Sequence, residues 1–210
     1  MVRRTKADAL ATRERIIDAA ELLFQARGVS HTSLNDIAAA AGVTRGAVYW
    51  HFRDKGDLFN AMMDRVREPL GAVRCAPATP GQVLPQLRRH LVGTLQRVVD
   101  DPRLRRVIEI ATQKAEYVDD LVVVRQRHLQ SIAEHVDGLR RCLELLPALR
   151  GARTHAIGLH ALIAGLIHSW LLDPQAFELV PVGRRAIDTY LASLTPVPLP
   201  ADASRPASVR

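Results

Sequence analysis

The stretch from Thr32 to Leu58, TSLNDIAAAAGVTRGAVYWHFRDKGDL, constrains the fold more than any other part of the chain. Its first half spaces apolar residues at intervals of three and four, which predicts one buried face of a short helix: Leu34, Ile37, Ala38 and Ala41. Gly42 should end that helix, because glycine enters the left-handed conformation at little cost. Thr44 can then cap a second helix reaching about His51. Two short helices joined by a glycine-containing turn predict a helix-turn-helix, whose second helix can enter the major groove of DNA.

The second helix has two different sides. Val48 and Phe52 form its buried side, and its outer side is polar and aromatic: Thr44, Arg45, Gly46, Tyr49, Trp50 and His51. The alternative is an ordinary helical corner, but a surface that met only water would gain nothing from two exposed rings. We expect Arg45 to bind guanine bidentately and Gly46 to bring the helix close to the groove floor. Tyr49, Trp50 and His51 should contact backbone or thymine methyl groups, with ordinary surface positions as the alternative for Tyr49 and His51.

Further DNA contacts are expected outside this helix. Thr32 or Ser33 should cap the first helix of the motif, where both hydroxyls and the free N–H groups suit a phosphate. Lys55, at the start of the next helix, should meet another phosphate, with an ordinary surface position as the alternative. The basic residues Arg3 and Arg4 belong either to a solvated tail or to an arm that follows the DNA backbone or the adjacent minor groove.

Several segments resemble one family of bacterial regulators. The string GVTRGAVYWHFRDKGDLF, together with the upstream TRERIIDAAELLFQARG, resembles the DNA-binding domain of the TetR family of repressors, most closely its AcrR-like multidrug branch. IEIATQKAEYVDDLVVVRQRH and LIAGLIHSWLLDPQAFEL resemble the ligand-binding half of the same branch, so the likeness extends to Leu194. It implies a helical effector domain, a dimer, and DNA contacts at the matching positions of the second helix.

Helical patterns continue along the whole chain, so we expect an all-α fold. A three-helix DNA-binding domain with its N-terminal arm should occupy residues 1–54, and a larger helical domain for effector binding and dimerisation residues 55–195. Residues 69–82 are rich in proline, glycine and alanine and predict a break between helices. The expected helices are these: Thr12–Arg27, one from Lys55 towards Pro69, 83–99, 104–114, 119–146, 152–172 and 183–194. Residues 196–210 are rich in proline and should be disordered.

Composition limits the partners and the compartment. An apolar fraction of 48% can fill a core, and a net charge of +7 favours an anionic partner such as nucleic acid, with a membrane surface as the weaker alternative. The N-terminus lacks the apolar region of a secretory signal, and the run 159–172 is too short to span a bilayer, so we expect a cytoplasmic protein with no membrane partner. Cys75 and Cys142 should be small buried thiols rather than redox sensors.

The helix expected at 152–172 is apolar on almost all sides, so it must be buried against its own core and against a second partner. Small residues on it would allow another helix to approach closely, and we assign them with one neighbouring histidine to a dimer interface: Ala161, Ala164, Gly165 and His168. DNA recognition also requires two copies, because one short helix reads few base pairs. We expect this helix and the last one to form a four-helix bundle with the same two helices of a second copy. The two recognition helices would then bind half-sites ~34 Å or more apart.

The family resemblance, rather than any pattern, implies an effector pocket in residues 60–195. The candidates are polar or bulky residues within apolar helical stripes: Met63, Gln113, Glu116, His128 and Trp170. An ordinary core or surface role is an equal alternative for each. A small, lipophilic effector should release the operator by changing the spacing of the recognition helices, with the helix from Lys55 linking the two domains.

No enzyme, cofactor or metal is expected. The eight histidines include no pair at i, i+4 with a nearby acid, and the chain has no glycine-rich phosphate loop and no nucleophile elbow. We therefore expect a repressor of a multidrug efflux operon. A DNA-binding activator or a global regulator without a drug ligand is the alternative.

Overall fold

Helices account for the regular structure of the computed structural model, which describes residues 6–70, 73, 75, 80–115 and 122–194. Within these ranges there is no strand, so the all-α prediction is confirmed. In chain order the helices are α1 Lys6–Arg27, α2 Leu34–Ala40, α3 Arg45–His51, α4 Lys55–Leu70, α5 Pro80–Asp100, α6 Pro102–Glu109, a π-helical turn Ile110–Lys114, α7 Val122–Leu143, α8 Ala152–Leu172 and α9 Leu179–Ala192. The predicted residues Arg3, Arg4 and Glu116 and the tail 196–210 lie outside the described residues.

The first three helices form the expected helix-turn-helix. Gly28 ends α1 with φ 85°, and Gly42 ends the turn after α2 with φ 63°, so both occupy the left-handed region. Thr44 caps α3, its hydroxyl accepting a hydrogen bond from the Ala47 amide at 3.2 Å. Phe24, Ile37 and Val48 are fully buried between these helices. The geometry of the motif therefore follows from the glycine and cap positions seen in the sequence.

Several helix boundaries differ from the prediction. α1 begins at Lys6 rather than Thr12, because five of the six residues of KADALA are good helix formers and the sixth, Asp8, lies in the first turn, where a negative charge is favourable. α9 begins at Leu179 rather than Gly183, since Pro181 lies within the first turn, where its missing N–H costs no helical hydrogen bond. The helix expected at 104–114 is α6 followed by a π-helical turn, a feature that has no simple sequence signal.

Ion pairs join α1 to both α4 and α6. Arg65 on α4 donates to Asp18 at 2.7 Å and to Glu21 at 2.8 Å, both on α1, and also pairs with Glu14. From α6, Arg103 lies 3.1 Å from Asp18 and Arg106 lies 3.6 Å from Glu21. Glu21 is only 1% exposed, so its carboxylate is enclosed among these arginines. The helix-turn-helix is thus tied to the rest of the chain through charged groups.

Backbone contacts add to this junction. The Val29 amide, in the connection between α1 and α2, donates to the Lys114 carbonyl at the end of the π-helical turn, 3.0 Å away. α4 packs against α1 and also against α5, α6 and α7. Because these contacts are direct, a displacement of α4 or of the π-helical turn would also displace the helix-turn-helix.

α8 is longer than the apolar run considered above. It has 21 residues, and by length and composition alone it is the one helix of the described residues that could cross a membrane. The apolar run 159–172 is therefore only part of this longer helix. Ala156, Leu159, Ile163 and Ile167 point into the protein, as in a core helix of a globular domain. Length and apolarity here have an explanation in packing.

The two cysteines are not free thiols, which corrects the prediction. Cys75 and Cys142 form a disulfide, with their Cα atoms 5.4 Å apart. Cys142 lies near the end of α7 and is 2% exposed, so the expected burial holds for this residue. The two residues are 67 positions apart in sequence, and only the tertiary fold brings them together.

Candidate nucleic-acid interface

Helix α3 is held by its apolar side. Val48 is fully buried and Phe52, which caps the helix at its C-terminal end, is 2% exposed. The guanidinium of Arg13 on α1 lies 5.2 Å from the centre of the Phe52 ring, a cation–π contact that covers this end. Because these contacts fix the rotation of a helix only seven residues long, the opposite side faces solvent.

The outer side of α3 carries exposed aromatic rings beside a cation. Trp50 is 73% exposed and Tyr49 is 47% exposed. Arg45 Nη2 donates to the Tyr49 hydroxyl at 3.3 Å, and its guanidinium lies 5.3 Å from the centre of that ring. The Trp50 ring meets His51 edge-on, with centroids 4.5 Å apart. The structure thus exposes Arg45, Tyr49 and Trp50 on α3, with the half-buried His51 beside Trp50. Together they offer a cation, hydrogen-bond donors and apolar ring surface.

Gly46 lies on the same face, and nothing in the protein requires a glycine there. A Cβ at this position would meet only the Thr44 hydroxyl, at 3.9 Å. Its φ is not in the left-handed region, because it lies inside α3. The fold therefore gives no reason for a glycine at this position. A glycine would allow DNA to approach α3 closely, as expected for a helix near the groove floor.

The start of α2 differs in detail from the expectation. Ser33 is the cap, and Asp36 completes a capping box, with its carboxylate accepting from the Ser33 amide at 2.9 Å and hydroxyl at 2.6 Å. These hydrogen bonds lower the pKa of Asp36, so a negative charge already lies at this helix terminus. Thr32 is 1% exposed and its hydroxyl donates to the Gly28 carbonyl at 2.8 Å. The Thr32 hydroxyl therefore stabilises the end of α1 and does not face solvent.

Lys55 has protein partners. Its ammonium donates to the Val29 carbonyl at 2.9 Å and to the Thr32 carbonyl at 3.3 Å. Two of its three N–H donors therefore hold the α1–α2 connection to the start of α4. The phosphate contact predicted for Lys55 would have to use the third donor.

The predicted effector residues do not line one described cavity. Trp170 is 7% exposed, with the Arg105 guanidinium 5.9 Å from its ring, and it lines a cleft of about 460 Å³ between the end of α5 and the start of α9. None of the described residues Met63, Gln113 and His128 lines this cleft. All three are half-buried, and the Nε2 atom of Gln113 is buried without a hydrogen-bond partner.

A row of histidines inside the larger domain was not predicted. His135 on α7 lies between His90 on α5 and His160 on α8, with ring centroids 6.1 Å and 5.4 Å away. Burial, followed by the charges of His160 and His90, lowers the pKa of His135 to about 4. Burial also lowers the pKa values of His90, His128 and His160. The described residues contain no group of three or more side chains placed to hold a metal ion.

The residues assigned to a dimer interface share one exposed side of α8. Ala161, Ala164, Gly165 and His168 are all exposed, together with Ile157 and the 64% exposed Leu172. A Cβ added at Gly165 would meet nothing within 4 Å. A mostly apolar strip of small residues therefore lies open along a helix whose other side is core.

Family models match both parts of the chain. Residues 16–62 match the model described as bacterial regulatory proteins, tetR family, and residues 82–196 match the C-terminal region of a MAATS-type transcriptional repressor. The first match contains the helix-turn-helix, and the second runs from α5 to the last described residues and beyond.

Individual relatives cover most of the chain. The HTH-type transcriptional regulator AcrR of Shigella flexneri is 41% identical over 187 residues, which is 85% of this chain and 87% of AcrR. The crystal structure of NalD, the secondary repressor of the MexAB-OprM multidrug efflux pump in Pseudomonas aeruginosa, aligns with TM-score 0.78 at 33% identity, covering 90% of this chain and 98% of NalD. SmeT is the repressor of the Stenotrophomonas maltophilia multidrug efflux pump SmeDEF. The structure of its complex with triclosan aligns with TM-score 0.74 at 29% identity, covering 95% of this chain and 100% of the SmeT chain.

Proposed function

This chain belongs to the TetR family of bacterial regulatory proteins, which are transcriptional regulators and not enzymes, and from that membership we propose that it represses a multidrug efflux operon. It binds a palindromic operator as a dimer in the cytoplasm, and a small lipophilic molecule releases it. The relatives support this proposal, since NalD and SmeT are both repressors of multidrug efflux pumps.

The exposed face of α3 is the observation that carries the proposal. Arg45 and Tyr49 already contact each other, so a base edge or phosphate would meet a preformed cation and hydroxyl. Exposed Trp50 and the open position at Gly46 would allow close van der Waals contact with the groove. We assign DNA binding to residues 1–54. The residues in contact with DNA are Ser33, Thr44, Arg45, Gly46, Tyr49, Trp50 and His51.

Effector binding is assigned to residues 55–195. The SmeT complex supports a lipophilic effector, because triclosan is such a molecule. Release requires the effector to prefer a pose of α4 in which the two recognition helices no longer fit successive grooves. Arg65 and Glu21 support this route, since their ion pair joins α4 to the DNA-binding helices inside the protein.

Dimerisation is assigned to α8 and α9. The exposed strip on α8 is apolar and contains Gly165 and two alanines, which suits close approach by the same helix of a second copy. In such a dimer the two α3 helices would face half-sites ~34 Å or more apart.

The direct test measures operator binding by fluorescence anisotropy on the DNA upstream of the protein's own gene. We expect specific binding and release by triclosan as the probe. Arg45→Ala should weaken binding by about 2–6 kcal/mol, because the base interaction that it removes from each of the two half-sites is worth about 1–3 kcal/mol. Arg150→Ala is the matched control, since Arg150 is an exposed arginine in the connection between α7 and α8.

Two outcomes would contradict the proposal. If the wild-type protein bound its upstream DNA no better than an unrelated duplex at moderate salt, the repressor function would be wrong. If triclosan bound the protein tightly and left the operator affinity unchanged, the coupling between the two domains would be wrong.

A further inference from the structure

The Cys75–Cys142 bond joins two parts of the protein that the proposed mechanism needs to move. Cys75 lies in the connection between α4 and α5, five residues after the end of α4, and Cys142 lies in the last turn of α7. Closure of the bond therefore limits how far the C-terminal end of α4 can move from α7. α4 is also the helix that carries Arg65 and, through it, contacts the DNA-binding helices.

Noncovalent contacts follow the same line between α4, the connection and α7. Val73, 5% exposed, packs against Gly138 so closely that a Cβ at Gly138 would lie 3.1 Å from the Val73 carbonyl oxygen. Nearer the start of α7, Arg127 pairs with Asp64 of α4. These contacts hold Val73 and α4 beside α7 in the absence of the covalent bond, so the two sulfur atoms of a reduced protein would stay near each other and could close the bond again.

The two sulfur atoms differ in accessibility. Cys142 is 2% exposed, whereas Cys75 is half-buried at the edge of the core. A small thiol can therefore reach Cys75 but not Cys142. A disulfide inside a cytoplasmic regulator is also unusual, because thiols in that compartment are kept reduced and disulfides there are mostly transient.

We propose that Cys75 and Cys142 are a site of reversible thiol–disulfide exchange with low-molecular-weight thiols and disulfides, and that the state of this pair sets the operator affinity. In oxidation, the Cys75 thiolate attacks a small disulfide and forms a mixed disulfide, releasing one thiolate. The Cys142 thiolate then attacks the Cys75 sulfur and expels the second small thiolate. Two electrons pass to the small disulfide and the pair loses two protons; reduction by a small dithiol reverses these steps.

The first experiment follows the chemistry and the movement without DNA. The purified full-length protein is equilibrated in buffers of reduced and oxidised dithiothreitol, and free thiols are counted by alkylation and mass spectrometry. Hydrogen exchange is then compared between the two forms. We expect full, reversible interconversion and faster amide exchange in α4 residues 58–66 of the reduced form, since the tie to α7 is then broken. A bond that never forms, or identical exchange in the two forms, would overturn the proposal.

The second experiment measures the consequence for DNA binding, which rests on the proposed function. We expect the operator Kd values of oxidised and reduced wild type to differ about fivefold or more. The double variant Cys75→Ser, Cys142→Ser should match the reduced form under both conditions, and its thermal unfolding should show that it is folded. Equal Kd values for oxidised and reduced wild type would overturn the regulatory role. If no form bound operator DNA, the proposed function would fail, while the exchange and hydrogen-exchange results would still decide on the pair.

Discussion

Gly46 separates the requirements of the fold from those of DNA binding. Because a Cβ there meets nothing closer than 3.9 Å, Gly46→Ala should raise the free energy of unfolding by about 0.5–1 kcal/mol through the helix propensity of alanine. The same methyl group would stand between α3 and the groove floor in both half-sites, so operator affinity should fall at least about tenfold. Chemical denaturation and anisotropy on the same variant check the two effects. Gly81→Ala, in α5 and also facing open space, should leave operator affinity unchanged.

Lys55 allows a role in DNA binding to be separated from a role within the protein. Its ammonium holds the Val29 and Thr32 carbonyls, so Lys55→Gln should lower the free energy of unfolding by about 1–3 kcal/mol. If Lys55 also bound a phosphate, the variant would reduce the dependence of log affinity on log salt by about 0.9 for each phosphate that it no longer neutralises. We expect the decrease in stability with an unchanged salt dependence. An unchanged stability with a reduced slope would favour the phosphate role predicted from the sequence.

These two residues show what a sequence can reveal about single positions. Gly46 stands out because it breaks a helix-forming pattern, and that signal is local. Lys55 pairs with carbonyls 26 and 23 residues earlier, and no spacing rule points to such partners. The capping box of Ser33 and Asp36, in contrast, has a local sequence signal, the S-x-x-D spacing.

At the level of helices, the packing of α1, α4 and α6 depends on one buried carboxylate. Glu21→Gln would remove the negative charge that Arg65 and Arg106 share in a site that is 1% exposed and would place an amide N–H₂ against a guanidinium, so we expect a decrease of about 3 kcal/mol in the free energy of unfolding. Glu14→Gln, on a side chain 51% exposed, should cost less than about 1 kcal/mol although it also pairs with Arg65. Equal decreases in the two variants would show that burial of Glu21 is not what matters.

The histidines shared by α5, α7 and α8 predict a dependence of stability on pH. Folded His135 stays neutral down to about pH 4, while in the unfolded chain its pKa is near 6.5. Between these values the unfolded state binds more protons, so stability falls as pH falls through this window. Urea denaturation should show that His135→Gln removes roughly 1–2 kcal/mol of the decrease seen between pH 6.5 and about 5. The flanking groups are His90, with Arg97 acting on it, and His160, with His128 acting on it.

A matched variant controls for the removal of a histidine as such. His31 is exposed in the connection between α1 and α2, so His31→Gln should keep the pH dependence of the wild type. An identical pH dependence in His135→Gln and wild type would show that groups other than His135 cause the loss of stability at low pH. The sequence indicated none of this, because residues 90, 135 and 160 lie on different helices and only helix packing makes them neighbours.

For the whole molecule, the all-α fold could be predicted because both the helical periodicity and the Gly42 turn are local properties. The Cys75–Cys142 bond and the ion pairs of Arg65 could not, since each joins residues more than forty positions apart. The same limit applies to effector binding. The candidates were chosen as polar or bulky residues within apolar stripes. Of those that are described, only Trp170 lines the cleft between α5 and α9, because a shared cavity depends on how the helices pack.

Operator binding by the whole molecule depends on dimerisation, and the exposed strip of α8 allows this to be tested. Ala164 lies on the exposed apolar strip, so Ala164→Asp would place two desolvated carboxylates opposite each other in a symmetric dimer. We expect a monomer by analytical ultracentrifugation with the helical content of the wild type. Operator affinity should fall more than about a hundredfold, because a monomer reads one half-site and leaves the second unbound. Ala133→Asp, an exposed alanine on α7, should remain dimeric and bind the operator normally. A dimeric Ala164→Asp protein with wild-type operator affinity would show that the second copy docks on another surface.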